Sequence, residues 1–449
     1  MPDCPTMKEF RTELTDDGLL HLIFDMPGKA MNVFTNAAIH EILAFAEWLP
    51  HSGLRGVLVR SGKDGAFCAG ADLTELGQAY DMIMAMPQAE RQAATEAHFG
   101  VISRAFRKLE TAGVPVAAAI HGLALGGGCE LALGCHYRVL TDAPGTVLGL
   151  PESLVGLLPG GGGTQRLPRL VGLEAALPVL LDGARLDAAK ALAFKAADAV
   201  VPAGQEIAAA EAWLRSGPDP RQPWDRPEWR ATDAAVLSAT LSAARTQVLE
   251  QTGGHSPAEP AILECLAEGL ARDMDSALQA EITIFARLVQ RVEPRNMIAT
   301  NFLGRVEHDR AARKGMLPDW MDTFLADIRG ALGVAITGNH ELALEAARFA
   351  RLDVTGTLPG PDLALAEAAA RRSEPWFAAP QGPLEHEAMR LLGAMALAAE
   401  PWLDRIPPAA RNLADHAVVR SGMVPAYLGG PFAQLASLGI DRARTLNAG

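Results

Sequence analysis

Short apolar runs of strand length alternate with segments of helical periodicity along roughly the first 205 residues. The strand-length runs are rich in Val, Leu, Ile and Ala, and they cover residues 19–26, 56–60, 115–120, 146–150 and 198–201. Between them, apolar residues that recur every three or four positions predict helices over residues 35–49, 99–109, 173–181 and 186–197. This alternation of strands and helices predicts an α/β core with parallel strand pairing.

A proline-rich stretch marks the end of the alternating region. Residues 216–227 contain four prolines in twelve positions, which favours a linker or a domain boundary. Most of the sequence after this stretch has helical character. We therefore predict a first domain over residues 1–215, a linker with packing helices over residues 216–310, and a helical domain over residues 311–449.

Composition excludes several classes of function. The formal net charge of −13 argues against nucleic acid or an anionic membrane surface as the main partner, because either would require a basic face. The five cysteines form no CxxC pair and have no histidines at metal-ligand spacing, so we interpret them as reduced thiols of a cytoplasmic protein without a metal site. The first residues have mixed charge, and the most apolar window, residues 113–135, contains His121 and Glu130, so neither a signal peptide nor a membrane span is expected.

Two glutamates lie in runs that otherwise carry almost no charge. Glu130 follows the turn Gly126-Gly127-Gly128, which joins an apolar strand to a predicted helix and points free N–H groups at a site suited to an anion. Glu152 follows Pro151, and we expect the apolar residues 154–158 to form a wall around its carboxylate. Two carboxylates in apolar surroundings have their pKa values pushed apart, so that one can give a proton while the other takes one. Such a pair of carboxyl groups suits the addition or removal of water across a carbon–carbon double bond.

Structural explanations stand beside this interpretation. Glu130 could be a helix-cap acid and Glu152 an ordinary surface residue before a turn, since buried glutamates are often merely paired. Cys129 could be a nucleophilic thiol, but no general base is evident in the sequence around it, and a small buried core residue explains it better.

A segment of small residues, FCAGADL at residues 67–73, supplies a third candidate feature. Ala69, Gly70 and Ala71 allow a ligand to approach the main chain closely, which bulkier side chains would prevent. A tight turn with small residues for packing is the alternative explanation.

Together, FCAGADL, GGGCELAL at residues 126–133 and GLPESLVGLLPGGGGTQRLPRLVG at residues 149–172 resemble the crotonase superfamily of enoyl-CoA hydratases and isomerases. The sequence is most similar to the hydratase part of bacterial multifunctional fatty-acid oxidation alpha subunits. The resemblance implies a crotonase-like ββα spiral core followed by a mainly α-helical C-terminal region. Related sequences usually have a glycine at the position of Lys195, so an unusual helix ending is expected there.

The same resemblance implies roles for individual residues. The N–H groups of Ala71 and Gly127 would form an oxyanion hole for a thioester carbonyl, Glu130 would activate the attacking water, and Glu152 would handle the proton at the α-carbon. The remaining substrate-binding positions that we carry over are Ala69, Gly70, Asp72, Gly128 and Lys29. Of these, Asp72 would orient its loop, and Lys29 would lie near the phosphates of CoA.

The resemblance predicts a trans-2-enoyl-CoA hydratase that forms 3-hydroxyacyl-CoA in fatty-acid β-oxidation. It implies an acyl-CoA substrate, no metal or redox cofactor, and possible homo-oligomers. A Δ3,Δ2-enoyl-CoA isomerase is the nearest alternative, because isomerisation can work with one carboxylate. A non-catalytic acyl-CoA-binding or assembly subunit is the alternative from another class.

An NAD-binding domain is expected to be missing between residues 295 and 449. A dinucleotide site would show a strand, a GxGxxG turn and a helix, and Gly330, Gly333 and Gly338 have the wrong spacing. Only residues 422–439 resemble the end of a hydroxyacyl-CoA dehydrogenase helical domain. The region after residue 310 is therefore interpreted as a possible remnant of that domain.

Overall fold

The computed structural model describes residues 3–337, 340–356 and 360–448, which divide between two units. The first unit contains the chain up to Ser153, Leu157–Ser242 and Ala261–Gln290, and the second contains Leu154–Gly156, Ala243–Pro260 and the chain from Arg291 onward. The segment 216–310, predicted as one linking region, is thus divided between the two units. Gly338, named above for its spacing, lies outside the described residues.

The strands all lie in the first unit and form two sheets. They are β1 Phe10–Leu14, β2 Leu19–Phe24, β3 Gly56–Ser61, β4 Ala66–Cys68, β5 Val116–Ile120, β6 Leu123–Leu125, β7 Tyr137–Thr141, β8 Val147–Gly149, β9 Arg185–Asp187 and β10 Ala199–Val201. The six-stranded sheet has the order β1-β2-β3-β5-β7-β10, and the four-stranded sheet has the order β4-β6-β8-β9.

The chain winds through the two sheets as a spiral. Each of three successive passes adds one strand to each sheet, first β3 and β4, then β5 and β6, then β7 and β8. Pairing is parallel except for β1 with β2 and β8 with β9. Strand β5 is buried on both faces, which explains why its sequence is a continuous apolar run. Strand β2 is also buried throughout, although it contains His21, which pairs with Glu211. The predicted α/β core with parallel pairing is confirmed.

Helices cover the strands of the first unit. They are α1 Asn36–Trp48, α2 Leu73–Met84, α3 Gln88–Glu110, α4 Gly127–Gly134, α5 Gly163–Val171, α6 Leu173–Leu181, α7 Ala188–Ala193, α8 Glu206–Arg215 and α11 Met274–Val289, with α9 Ala234–Thr252 and α10 Ala258–Gly269 divided between the units. Several of them begin at side-chain caps. At α1 the Thr35 hydroxyl accepts from the Ala38 amide, and at α2 the Asp72 carboxylate accepts from the amides of Thr74 and Glu75. Asp72, predicted to orient its loop, is therefore the N-cap of α2 at the end of that loop.

The predicted helix over residues 186–197 is wrong at its start. Residues Arg185–Asp187 pair with β8 instead, and only then does the Asp187 carboxylate cap α7 by accepting from the Lys190 amide. Lys195 follows the end of this helix with φ 65°, the left-handed conformation that glycine adopts without strain. Lys195 thus adopts the left-handed backbone conformation that suits the glycine usual at this position in related sequences.

The regular secondary structure of the second unit, in its described residues, consists of helices. Its helices are α12 Val292–Met297, α13 Arg305–Arg313, α14 Met321–Thr337, α15 His340–Ala350, α16 Leu363–Ala370, α17 Gly382–Ala399, α18 Arg411–Arg420, α19 Pro431–Leu438 and α20 Ile440–Asn447, with a π-helix at Ile298–Gly304. Aromatic side chains including Phe324, Trp402 and Phe432 form part of its core. The predicted helical character of the C-terminal region is confirmed. Among the helices of the described ranges, none combines the length and the apolar composition needed to cross a bilayer.

Candidate active site

Two glycine turns meet where β4 and β6 end. Strand β4 pairs with β6 in parallel, so the segments that follow Cys68 and Leu125 leave the same sheet edge side by side. A Cβ placed on Gly70 would lie 3.2 Å from the Leu125 carbonyl oxygen, and one placed on Gly128 would lie 2.6 Å from that of Cys68. Both close approaches require glycine, and Gly70 also has φ +99°.

Two main-chain amides at this meeting point have no acceptor among the described residues. The Phe34 amide donates to the Gly70 carbonyl at 2.8 Å, and the Asp72 amide donates to the Phe34 carbonyl at 3.0 Å. This bridge turns the N–H of the intervening Ala71 to the opposite side of the segment. Gly127 begins α4, where a first-turn N–H has no partner within the helix. These are the two amides that sequence analysis assigned to an oxyanion hole.

The other positions of the FCAGADL segment have structural partners. The Ala69 amide donates to the Asn32 carbonyl at 2.9 Å. Asn32 is fully buried, and its side-chain amide donates to the carbonyls of Phe24 and Phe67 and to the Ser61 hydroxyl. Sequence reasoning missed this residue, because a single asparagine after a glycine-containing loop carries no distinguishing pattern.

Glu130 is buried and accepts hydrogen bonds from the glycine loop of residues 160–164, which we call the second glycine loop. Its Oε1 accepts from the Gly161 amide at 2.7 Å and from the Gly163 amide at 2.8 Å. Burial raises the pKa of Glu130 to about 7, while these two amides and the Arg166 guanidinium act in the opposite direction. We expected the carboxylate near the amides of its own helix, and the partners found are instead those of residues 161 and 163. It is therefore not a cap of α4.

Glu152 lies over the turn at residues 126–128. A Cβ placed on Gly126 would lie 2.8 Å from Glu152 Oε1, so only glycine leaves room for the carboxylate beside Gly127. Oε2 of Glu152 is buried and has no hydrogen-bond partner within the described ranges. Burial and the negative charge of Glu130 raise the pKa of Glu152 well above its ordinary value. Such a carboxyl group is available to a ligand as a proton donor or acceptor.

The predicted apolar wall around Glu152 is incomplete. Leu157 and Leu158 are buried, whereas the Leu154 side chain is 45% exposed. The turn Glu152–Val155 is a 3-10 helix, which directs Leu154 to solvent while Ser153 stays buried.

A third buried carboxylate, Glu281 of α11, was missed by sequence analysis. Its Oε1 accepts from the Gly162 amide at 2.7 Å, and its Oε2 accepts from the Thr164 amide at 3.1 Å and from the Thr164 hydroxyl. Burial and the charge of Glu130 raise the pKa of Glu281 to about 8. The signal that could have found it is its place at a core-facing position of α11, four residues after Ala277 and seven after Met274.

A buried ion pair anchors the second glycine loop. Arg166 donates to both carboxylate oxygens of Glu110 at 3.0 Å, and both side chains are fully buried. Its third nitrogen donates to the Gly161 carbonyl at 2.9 Å. A Cβ on Gly162, which has φ +97°, would lie 1.9 Å from this guanidinium. Arg166 thus holds the loop through the Gly161 carbonyl, while the Gly161 and Gly163 amides donate to Glu130.

Two other candidates stand apart from this geometry. Lys29 is exposed in the turn after β2, and its place near the phosphates of CoA stays a prediction. Cys129 is buried, and burial together with the charges of Glu152 and Glu130 raises the pKa of its thiol, so a nucleophilic thiolate is disfavoured. Across the described residues, no group of three or more His, Cys, Asp and Glu side chains could hold a metal ion.

Comparisons with known proteins match this part of the chain. Residues 15–222 match the family model described as Enoyl-CoA hydratase/isomerase. The Fatty acid oxidation complex subunit alpha of Shewanella frigidimarina (strain NCIMB 400) is 38% identical over 292 residues, which are 64% of this chain and 39% of that protein. The protein of the same name from Shewanella sp. (strain W3-18-1) is 39% identical over 292 residues, which are 63% of this chain and 39% of its own length. The chain thus spans about two fifths of the length of these curated relatives.

Solved structures give a weaker match. Pseudomonas aeruginosa DspI is 26% identical with a TM-score of 0.41, covering 56% of this chain and 83% of that protein. An enoyl-CoA hydratase from Bacillus anthracis is 23% identical with a TM-score of 0.41, covering 69% of this chain and 98% of that protein.

Proposed function

We propose that the chain, whose residues 15–222 match the enoyl-CoA hydratase/isomerase family model, is a trans-2-enoyl-CoA hydratase. The substrate is an enoyl-CoA thioester and the product is the 3-hydroxyacyl-CoA, as in fatty-acid β-oxidation. One observation carries the proposal: Glu152 lies over Gly126, Glu130 lies in the first turn of α4, and the amides of Ala71 and Gly127 at this place have no acceptor among the described residues.

The amides bind the thioester carbonyl. As water adds to the double bond, negative charge moves onto this oxygen, and two fixed N–H donors stabilise the enolate-like species. The N-terminus of α4 adds partial positive charge at the same point. Because the donors are already aimed by the bridge at Phe34 and by the helix start, little reorganisation is needed during reaction.

The two carboxyl groups divide the proton transfers. Glu130, ionised, takes a proton from the water whose oxygen bonds to the β-carbon, and Glu152, protonated, gives a proton to the α-carbon. Each addition leaves Glu130 protonated and Glu152 ionised, so the protons must re-equilibrate before the next turnover. The reaction transfers no net electrons, so the proposal includes no redox cofactor. The two amides stabilise the charge on the carbonyl oxygen, so the proposal assigns no step to a metal ion.

The test of this function is a hydration assay with crotonoyl-CoA and longer trans-2-enoyl-CoA thioesters, run with and without NAD. We expect loss of the conjugated thioester absorbance at the same rate in both conditions. Formation of NADH would contradict the expected lack of a dehydrogenase. Binding of acyl-CoA without turnover of any substrate would reject the proposal and favour a non-catalytic subunit.

A second candidate function, Δ3,Δ2-enoyl-CoA isomerisation, is favoured by one contrast between the acids. Glu130 is engaged by two amides, whereas Oε2 of Glu152 has no partner among the described residues, and one free carboxyl group suffices to move a double bond. Rates with 3-enoyl-CoA and 2-enoyl-CoA substrates distinguish the two reactions.

The pH dependence of hydration follows from the required protonation states. The kcat/KM should rise with pH through about 7 as Glu130 of the free enzyme ionises, and fall at higher pH as Glu152 loses its proton. Rates measured across pH at substrate concentrations well below KM check this bell-shaped profile. A kcat/KM that is flat between pH values about one unit on either side of 7 would contradict the role of Glu130 as the base.

A further inference from the structure

We propose that Glu281 is a positioning residue for the reaction, because it fixes the glycine loop of residues 160–164 that holds Glu130. Glu281 lies outside residues 15–222, which are the part matched by the family model. The inference rests on the proposed hydratase function and adds a residue of α11 to the machinery.

Successive amides of the loop serve opposite carboxylates. The amides of Gly161 and Gly163 donate to Glu130, whereas those of Gly162 and Thr164 donate to Glu281. All four donor–acceptor distances lie between 2.7 and 3.1 Å. The loop therefore cannot shift toward either acid without lengthening its hydrogen bonds to the other.

Helix α11 also contacts the loop through apolar side chains on the same face. A Cβ on Gly160 would lie 3.0 Å from the Phe285 ring, and one on Gly162 would lie 2.9 Å from a Leu278 methyl. Leu278, Glu281 and Phe285 follow the spacing of one helical face. Glu281 is the polar member of this contact surface, and it supplies the acceptors that two buried amides need.

The Gln165 side chain also holds the end of this loop in place. The Gln165 side chain donates to the Thr164 hydroxyl at 3.0 Å and to the Cys265 carbonyl of α10 at 2.9 Å. The Thr164 hydroxyl in turn donates to Glu281. The loop end is thus bound to α10 and α11 through atoms that do not touch the substrate-binding amides.

Loss of Glu281 should therefore act on catalysis rather than on substrate binding. Without its acceptors, the Gly162 and Thr164 amides lose their partners, and Gly161 and Gly163 lose their fixed position under Glu130. The oxyanion amides of Ala71 and Gly127 belong to other segments and are unaffected. A base displaced by about 1 Å can lower kcat about 10²-fold, while KM changes little.

The experiment compares Glu281→Gln and Glu281→Leu with a matched control. Gln keeps one acceptor and turns an NH₂ group toward the Thr164 amide, whereas Leu removes both acceptors. We expect kcat to fall about 10-fold in Gln and about 10²-fold in Leu, with KM within about 3-fold of the wild type. Glu264→Gln is the control, because Glu264 is exposed and forms only a surface ion pair with Arg287. Wild-type kcat in a folded Glu281→Leu variant would overturn the proposal.

A readout that does not require turnover separates this inference from the proposed function. The carboxyl groups are titrated by infrared difference spectroscopy, and the Glu130 band is assigned from Glu130→Gln. In Glu281→Gln the Glu130 midpoint should be higher, because the Gly161 and Gly163 amides no longer keep their positions at the Glu130 carboxylate. Thr164→Val, which removes only the hydroxyl, should give a smaller rise and serves if the Glu281 variants do not fold. An unchanged Glu130 midpoint in a folded variant contradicts the positioning role. A wild-type protein that hydrates no enoyl-CoA contradicts the proposed function alone.

Discussion

Glu152→Gln should lower the kcat for hydration by at least ~10²-fold, the loss typical of a positioned acid–base group. The amide has nearly the same size and can still lie over Gly126, so the geometry of the turn is retained. It cannot deliver a proton to the α-carbon, because its NH₂ group is not an acid at neutral pH. Steady-state rates with crotonoyl-CoA should show the loss in kcat, with KM almost unchanged.

The matched control for this variant is Glu206→Gln. Glu206 is buried and lies in the same unit, and within the described ranges its carboxylate accepts only from the Gly204 amide at a local turn. We expect this variant to keep wild-type turnover. Near-wild-type turnover of crotonoyl-CoA by Glu152→Gln would remove Glu152 from the mechanism.

Arg166→Met should lower the free energy of unfolding by about 3 kcal/mol, because it leaves the buried Glu110 without its main counter-charge. Removal of one partner of a buried pair costs more than the pair itself contributes, since the remaining charge stays desolvated. Arg107 also contacts Glu110, at 2.9 Å, and partly compensates, so we expect a value at the lower end of the known range. Urea unfolding followed by circular dichroism measures the change.

Two further variants test the reason for this loss. Arg272→Met removes an exposed pair with Glu268 and should change the free energy of unfolding by no more than about 0.5 kcal/mol. The double variant Arg166→Met with Glu110→Gln should recover part of the stability, because the buried charge is removed together with its partner. A double variant less stable than Arg166→Met alone would contradict the explanation by an unpaired charge.

The sequence predicted those parts of the fold in which local pattern and burial agree. Strand β5 is buried on both faces and therefore has a continuous apolar sequence, and α1 covers Asn36–Trp48, close to the helix over residues 35–49 that its periodicity predicts. Strand β7 was not predicted, because it contains Arg138, whose charge is satisfied within the fold by Asp198 and by the Cys135 carbonyl. Helix α5 was missed for a similar reason, since its buried residues include Thr164, Gln165 and Arg166.

The candidate site was predictable only as far as its motifs are local. Glu130, Glu152, the turn at residues 126–128 and the glycine loop at residues 160–164 lie in one stretch of sequence, and the structure brings them together. The partners of Glu130 were not predictable, because they depend on how the loop at residues 160–164 folds back over α4. Glu281 is more than a hundred residues away in the chain, and only its core-facing place in α11 distinguishes it from a surface acid. The assigned roles of these acids stay predictions until the variants are measured.

The loop at residues 161–164 serves two acids with consecutive amides, which makes its residue count a constraint. A residue inserted within it would displace at least one amide from the carboxylate that it now serves. Side chains are constrained as well, because a Cβ on Gly162 would lie 1.9 Å from the Arg166 guanidinium. The length and the glycine content of the loop therefore both connect the reacting carboxylate to the supporting helix.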